Sequence, residues 1–199
     1  FLAAIISAFW YLRNEEIDHE TESVQRDTEI AQQQIRLRLM QNQEQLVLIA
    51  AELATDGTGA GEFTDQAKAF AAERPEVKHL IWLSQQRQLK GYGSAGGFRP
   101  DPVSAAGEAT DPSLPTAGKR SEAERAFTTA RDLRQPAYSR AFIDGAGTQA
   151  FQLHVPLFSR NVFSGMLVAE YSIESLIRLH VPPEVTRRRA IAVLDDAGR

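Results

Sequence analysis

From Tyr11 to Thr55 the chain contains neither glycine nor proline. These residues are the usual helix breakers, one through its backbone freedom and the other through its missing N–H. So long a run without either, rich in Glu, Gln, Arg, Leu and Ala, predicts a single helix over residues 13–55. The rest of the chain must then fold along that helix or at its end. Leu39, Leu46 and Leu53 recur every seven residues, with Ile35 and Ile49 at the companion position and Asn42 between them. Ile17, Val24 and Ala31 form another seven-residue series in a different frame. Sustained heptads favour a coiled-coil homodimer, in which one polar seam residue fixes register. The same stripe suits a helix lying on its own domain. Both uses fit one helix, the first half as dimer stalk and the second packed on the domain.

Residues 1–12 (Phe1 to Leu12) are apolar apart from Ser7 and end in Trp10-Tyr11. A bilayer core takes roughly 20 apolar residues, and Trp and Tyr favour its interface. The run is therefore expected to be the end of a membrane span. No small-residue cleavage site lies near Ser7–Asn14, so a secretory leader is the weaker reading.

Beyond the helix, residues 56–61 read as a turn and Phe63–Arg74 as a short helix, with Thr64 as its cap and Pro75 past its end. Val77–Ser84 is a strand, and Gln88–Tyr92 pairs back on it. Gly91–Gly118 holds 6 of the 13 glycines and 4 of the 9 prolines and reads as a long loop. Ser121–Arg134 is a helix opened by a capping box of Ser121 and Glu124. Three strands follow, Pro136–Phe142, Gln149–Phe158 and Val162–Ile173, then a short helix over Glu174–Leu179 and a strand over Ala190–Leu194. The order is α+β: a long N-terminal helix packed on a five-stranded antiparallel sheet. Leu80-Ile-Trp-Leu-Ser-Gln-Gln-Arg-Gln and Ile191-Ala-Val-Leu-Asp-Asp-Ala-Gly-Arg echo each other as strand then polar turn. That echo marks 56–183 as one domain and 184–199 as the start of a second, similar subdomain.

The net charge of −4 carries no nucleic-acid footprint. With no cysteine there is no disulfide and no thiolate metal site. Gly91-Tyr-Gly-Ser-Ala-Gly matches the dinucleotide pattern, but Gly97, Pro100 and Pro102 forbid the helix that must open at its third glycine. Tyr92-Gly-Ser-Ala-Gly has Tyr92 where a nucleophile elbow needs glycine. The histidines His19, His79, His154 and His180 are too scattered to imply a metal, and no cofactor is expected.

What remains is a pocket between the sheet, a helix and the long loop. Its candidate ligand-binding residues are Trp82, Tyr92, Arg131, Tyr138, Ser139, His154 and Glu170, with Arg134 and Tyr171 nearby. Alternation puts Phe151, Leu153 and Val155 on one face of their strand and Gln152 and His154 on the other. On the next strand Met166, Val168 and Glu170 share a face, so His154 is expected opposite Met166 or Glu170.

Gln149-Ala-Phe-Gln-Leu-His-Val-Pro-Leu-Phe followed by Phe163-Ser-Gly-Met-Leu-Val-Ala-Glu-Tyr-Ser-Ile-Glu-Ser-Leu resembles the paired strands and following short helix of extracytoplasmic Cache (PDC) sensor domains. In that pattern Pro156 and Gly165 are structural, and Pro136-Ala-Tyr-Ser resembles the short strand bordering the ligand pocket. The resemblance covers Tyr11–Leu179 and lacks the family's amino-acid-binding signature. It implies a PAS-like five-stranded sheet and a small-ligand-sensing domain of a membrane receptor, facing the periplasm from the inner membrane and signalling through the N-terminal helix. Histidine kinases are the commonest such receptors, with diguanylate cyclases and chemoreceptors as other outputs. Two rivals stand beside it: a ligand-free dimerisation or interaction module, and a membrane-anchored enzyme using Tyr138, His154 and Glu170.

Overall fold

The fold comes from a computed structural model that describes residues 2–55, 59–96, 117–183 and 185, with side chains described from Arg26 onward in the first stretch and from Glu122 in the third. Helix α1 spans Leu2–Ala54 without interruption. It is followed by α2 (Ala60–Glu73), β1 (Val77–Ser84), β2 (Leu89–Gly93), α3 (Ala117–Leu133), β3 (Ala137–Tyr138), β4 (Phe142–Ile143), β5 (Gln149–Ser159), β6 (Val162–Ser172) and α4 (Ile173–His180). The strands form one antiparallel sheet in the order β2-β1-β6-β5-β3, with β4 also on β5.

One strand was expected over 136–142; there are two short ones. Ala137 and Tyr138 pair with His154 and Leu153, and Phe142 and Ile143 with Ala150 and Gln149. Between them the Ser139 hydroxyl takes the backbone N–H of Gln152 at 2.8 Å, so a side chain replaces a strand partner. Two helix starts also move. Thr64 lies inside α2 and donates to the Ala60 carbonyl, while Gly59 stands at the cap position. Helix α3 begins at Ala117, which puts Ser121 inside it, and Glu124 pairs with Arg87 at 2.7 Å instead of closing a capping box. The turn residues 56–58, the loop residues 97–116 and the Ala190–Leu194 strand lie outside the described residues.

The sheet has two unlike faces. On one, Leu46, Ile49, Ala50 and Leu53 of α1 and Phe63, Ala67 and Phe70 of α2 pack on Leu80, Leu153, Val155, Leu157, Leu167, Ala169 and Tyr171. The heptad stripe is therefore spent on the chain's own sheet over its second half. On the other face Phe127 and Ala130 of α3 pack on Ile81, Leu83, Met166 and Val168. Helix α2 reaches the first face closely because β2 offers glycine there. A Cβ on Gly93 would stand 2.5 Å from Ala67 Cβ and 2.7 Å from the Lys68 backbone nitrogen. The paired glycines of Gly91-Tyr-Gly, which mimic a phosphate-binding turn, thus serve helix docking.

Candidate functional site

Register brings four polar side chains into one row across the α3 face. His79 stands opposite Glu170, and Glu170 opposite Gln152. Ser139 follows at the edge through its bond to Gln152. The Gln152 amide donates to Glu170 Oε2 at 2.9 Å, and His79 Nε2 lies 3.7 Å from that oxygen. Lys78 Nζ lies 3.8 Å from the other Glu170 oxygen and also pairs with Asp144. Asp144 sits in the β4–β5 turn, where its Oδ1 accepts from the Ala146 and Thr148 backbone at 2.9 and 2.8 Å. Burial alone would raise its pKa. The hydrogen bonds from Lys78 and Thr148 outweigh that and hold the carboxyl down at about 2.

The next row holds Tyr92, Ile81, Val168 and His154. His154 thus faces Val168, one step from both expected partners, because the β5–β6 register falls between them. It is fully buried, with the Phe127 ring edge-on at 6.3 Å. Burial pushes its imidazole down to about 3, so it is neutral at ordinary pH. Its tautomer follows from the row beside it. A carboxylate only accepts, so Gln152 must turn its NH₂ to Glu170 and its oxygen away. That oxygen lies 3.1 Å from His154 Nε2, which therefore carries the proton. Nδ1 is left as a buried acceptor with no partner among the described residues, and the Tyr92 hydroxyl is in the same position. Leaving such a group unpaired costs about 1–3 kcal/mol.

Four of the seven candidates, Tyr92, Ser139, His154 and Glu170, therefore share the α3 face. The other three do not join them. Trp82 faces the α1 side, edge-on to Phe63 at 5.7 Å. Tyr138 also faces that side, with its hydroxyl 3.5 Å from the Leu39 carbonyl; burial raises its pKa to about 12. Arg131 lies exposed on α3, bonded to its neighbour Asp132 at 2.8 Å. The sheet separates Tyr138 from His154 and Glu170, so the triad an enzyme would need does not assemble. Arg134 bonds Asn161 at 3.2 Å on the surface, and Tyr171 is core, stacked on Phe151 at 5.0 Å.

Sequence reasoning missed Lys78, His79, Asp144 and Gln152. Gln152 was visible on the His154 face, but His79 and Lys78 become neighbours only through strand pairing. It also missed a second buried polar cluster, on the α1 side. Glu76, just before β1, is fully buried and accepts from Arg38 Nε at 2.6 Å and Asn42 Nδ2 at 2.9 Å. Asn42 Oδ1 in turn accepts from Arg74 Nε at 3.1 Å, and Arg74 also reaches Gln45. Burial works against ionisation of Glu76, yet the Arg38 and Asn42 bonds hold its pKa below the usual range. Asn42, expected to set a dimer register, is used within the chain. A separate groove of about 260 Å³ lies between α1 and the β5 edge, lined by Val47, Ala50, Ala54, Pro136 and Leu157. It contains none of the polar row.

No family model and no curated protein matches this chain. Solved structures do. The ligand-binding domain of the Pseudomonas aeruginosa amino-acid chemoreceptor PctC, in complex with GABA, is 17% identical with a TM-score of 0.53, over 81% of this chain and 65% of that one. The extracellular domain of an inferred histidine kinase is 15% identical with a TM-score of 0.57, over 84% and 65%. The ligand-binding domain of the Pseudomonas fluorescens chemoreceptor CtaA, in complex with L-serine, is 12% identical with a TM-score of 0.52, over 83% and 63%. The chain spans just under two thirds of the length of these structures. It has the PAS-like fold of extracellular receptor ligand-binding domains, as the Cache resemblance implied.

Proposed function

We propose that this chain is the small-ligand-sensing domain of a membrane receptor, held outside the cytoplasm, whose ligand lies on the α3 face over the His79–Glu170–Gln152 row. The observation that carries this is that His154 Nδ1 and the Tyr92 hydroxyl are buried there without a hydrogen-bond partner among the described residues. A bare imidazole acceptor calls for a ligand N–H or O–H, and Glu170 beside it favours a donor over an acid. GABA and L-serine, the ligands of two chemoreceptor domains of this fold, both carry such donors. In this reading 56–183 is the sensor, 13–55 carries its state to a membrane segment at 1–12, and 184–199 begins a second subdomain. Among the described residues no helix is long and apolar enough to cross a membrane. The receptor's output, histidine kinase or otherwise, belongs to the rest of the protein.

Thermal shift against GABA, L-serine and sodium butyrate tests the site. Ligand at 100 times its Kd stabilises by about 2.7 kcal/mol, a shift of several degrees. The expected result is a saturable rise with a donor-bearing ligand, none with butyrate, loss of the rise in Glu170→Gln and its retention in Arg131→Ala. A rise with butyrate alone, or one that survives Glu170→Gln, would overturn the reading.

A second reading, an interaction module, draws on a different stripe. Ile30, Leu37, Met40 and Val47 recur in steps of seven and three on α1 and are 40–51% exposed. Since the Leu39–Leu46–Leu53 seam is spent on the sheet, a homodimer would use this stripe instead. Sedentary monomers by light scattering, unchanged by Leu37→Glu, would exclude it.

A further inference from the structure

The two buried polar clusters stand back to back across one corner of the sheet. On the α1 side is Glu76, held by Arg38 and Asn42 of α1 at 2.6 and 2.9 Å. On the α3 side, two and three residues along β1, are Lys78 and His79, both beside Glu170 of β6 at 3.8 and 3.7 Å. The strands are tied at this point by the Ser172 N–H, which donates to the Glu76 carbonyl at 2.9 Å. Ser172 is also the cap of α4, accepting from the Ser175 N–H at 3.2 Å. The far end of α4 returns to the same place, where His180 Nε2 lies 3.6 Å from the second Glu76 oxygen. Ile177 at that end and Val181 beyond it pack with Ala31 and Ile35 of α1. The β1–β6 register slips between Val77 and His79, in the middle of the corner.

We propose that this corner is a two-sided joint, in which residues 76–79 and 170–172 couple Glu170 on the α3 face to the docking of α1 through Glu76. The physical basis is that neither carboxylate can change its partners alone. Glu170 shares β1 with Glu76 through Lys78 and His79, and shares β6 with Ser172, whose N–H holds the Glu76 backbone. A shift of the 76–79 segment toward or away from Glu170 moves the anchor that Arg38 and Asn42 grip. Packed elements of this kind move between discrete arrangements and do not deform smoothly. The coupling is a property of the protein itself and stands without any ligand.

Hydrogen exchange read by mass spectrometry tests it on the protein alone, in wild type, Glu170→Gln, Glu76→Gln and the double variant. Glu170→Gln should speed exchange of α1 peptides covering residues 38–46 at least 5-fold, the lower end of ordinary coupling between sites. By reciprocity Glu76→Gln should speed exchange around residues 152–154 by the same factor. The double variant should fall short of the sum. Leu83→Ala, an apolar truncation on the α3 face, controls for general destabilisation and should leave the 38–46 peptides protected relative to the rest of α1. If Glu76→Gln does not fold, Arg38→Gln removes one arm of the grip from a partly exposed side chain and carries the same comparison. Effects confined to each substitution's own face, additive effects in the double variant, or equal deprotection by Leu83→Ala would each overturn the joint.

Discussion

The two faces of the sheet are built from alternate residues of the same strands, yet they place their polar groups differently. On the α1 face they gather at one rim, where one Glu76 oxygen takes Arg38 and Asn42 and Arg74 bonds Asn42 and Gln45, while the second Glu76 oxygen and the Tyr171 hydroxyl have no hydrogen-bond partner among the described residues. On the α3 face they run across the middle of the sheet, and His154 Nδ1 and the Tyr92 hydroxyl lack a partner among the described residues. A buried ion pair with several hydrogen bonds locks one arrangement, whereas a buried group with none leaves binding free energy available to something else. The α1 face thus anchors a helix through ion pairs at its rim, whereas the α3 face carries its polar row across the centre, where the proposed ligand would lie.

The largest expected effect comes from breaking the ion pairs at the α1 rim. Glu76→Ala strands Arg38 and Asn42 against a buried void and should cost about 3–5 kcal/mol. Urea unfolding would show it as a lower midpoint, and a loss under 1 kcal/mol would mean that the cluster is solvated and the contrast between faces is false. Leu46→Ala, at a fully buried α1 position, should cost about 2–5 kcal/mol in the same measurement. Acid titration comes next. The native pKa of Asp144 is about 2 against an ordinary 3.8. Its contribution is therefore complete above pH 4 and is lost as pH falls from about 4 to 2, roughly 2 kcal/mol in all. Asp144→Asn should flatten that part of the stability–pH curve; an unchanged slope would place the acid sensitivity elsewhere. His154 has the same sign. The unfolded imidazole binds its proton first, so stability falls as pH drops below about 6.5, and His154→Gln should remove that decline. The smallest effect is Ser172→Ala at the α4 cap, about 1 kcal/mol, which sharpens the comparison by weakening the corner without touching either cluster.

Much of this contrast was legible in the sequence. Period-two alternation sorted Leu153 from His154 and Ala169 from Glu170 correctly, because it depends on the strand alone. It does not say which face α1 covers, and so the sequence alone groups Trp82 and Tyr138 with residues on the far side of the sheet. The Arg38–Asn42–Gln45 stripe was written at helical spacing, but its partners Arg74 and Glu76 lie some thirty residues away and are joined to it only by packing. The breaks at Ser139 and at the α3 start were hidden for a related reason. A side chain accepting a backbone N–H, or a salt bridge from Arg87, outcompeted the local signal that Pro136 or Ser121 suggested.

Helix α1 also has a mechanical consequence. Among the residues whose side chains are described, apolar packing on the body runs from Ala31 to Ala54, while the helix itself begins at Leu2. At 1.5 Å per residue the helix runs about 45 Å from Leu2 to Ala31. A rod of that length is a lever arm. Were α1 to tilt by about 2° at Ala31, its start would sweep through roughly 1.5 Å, a step the size of one helical residue rise.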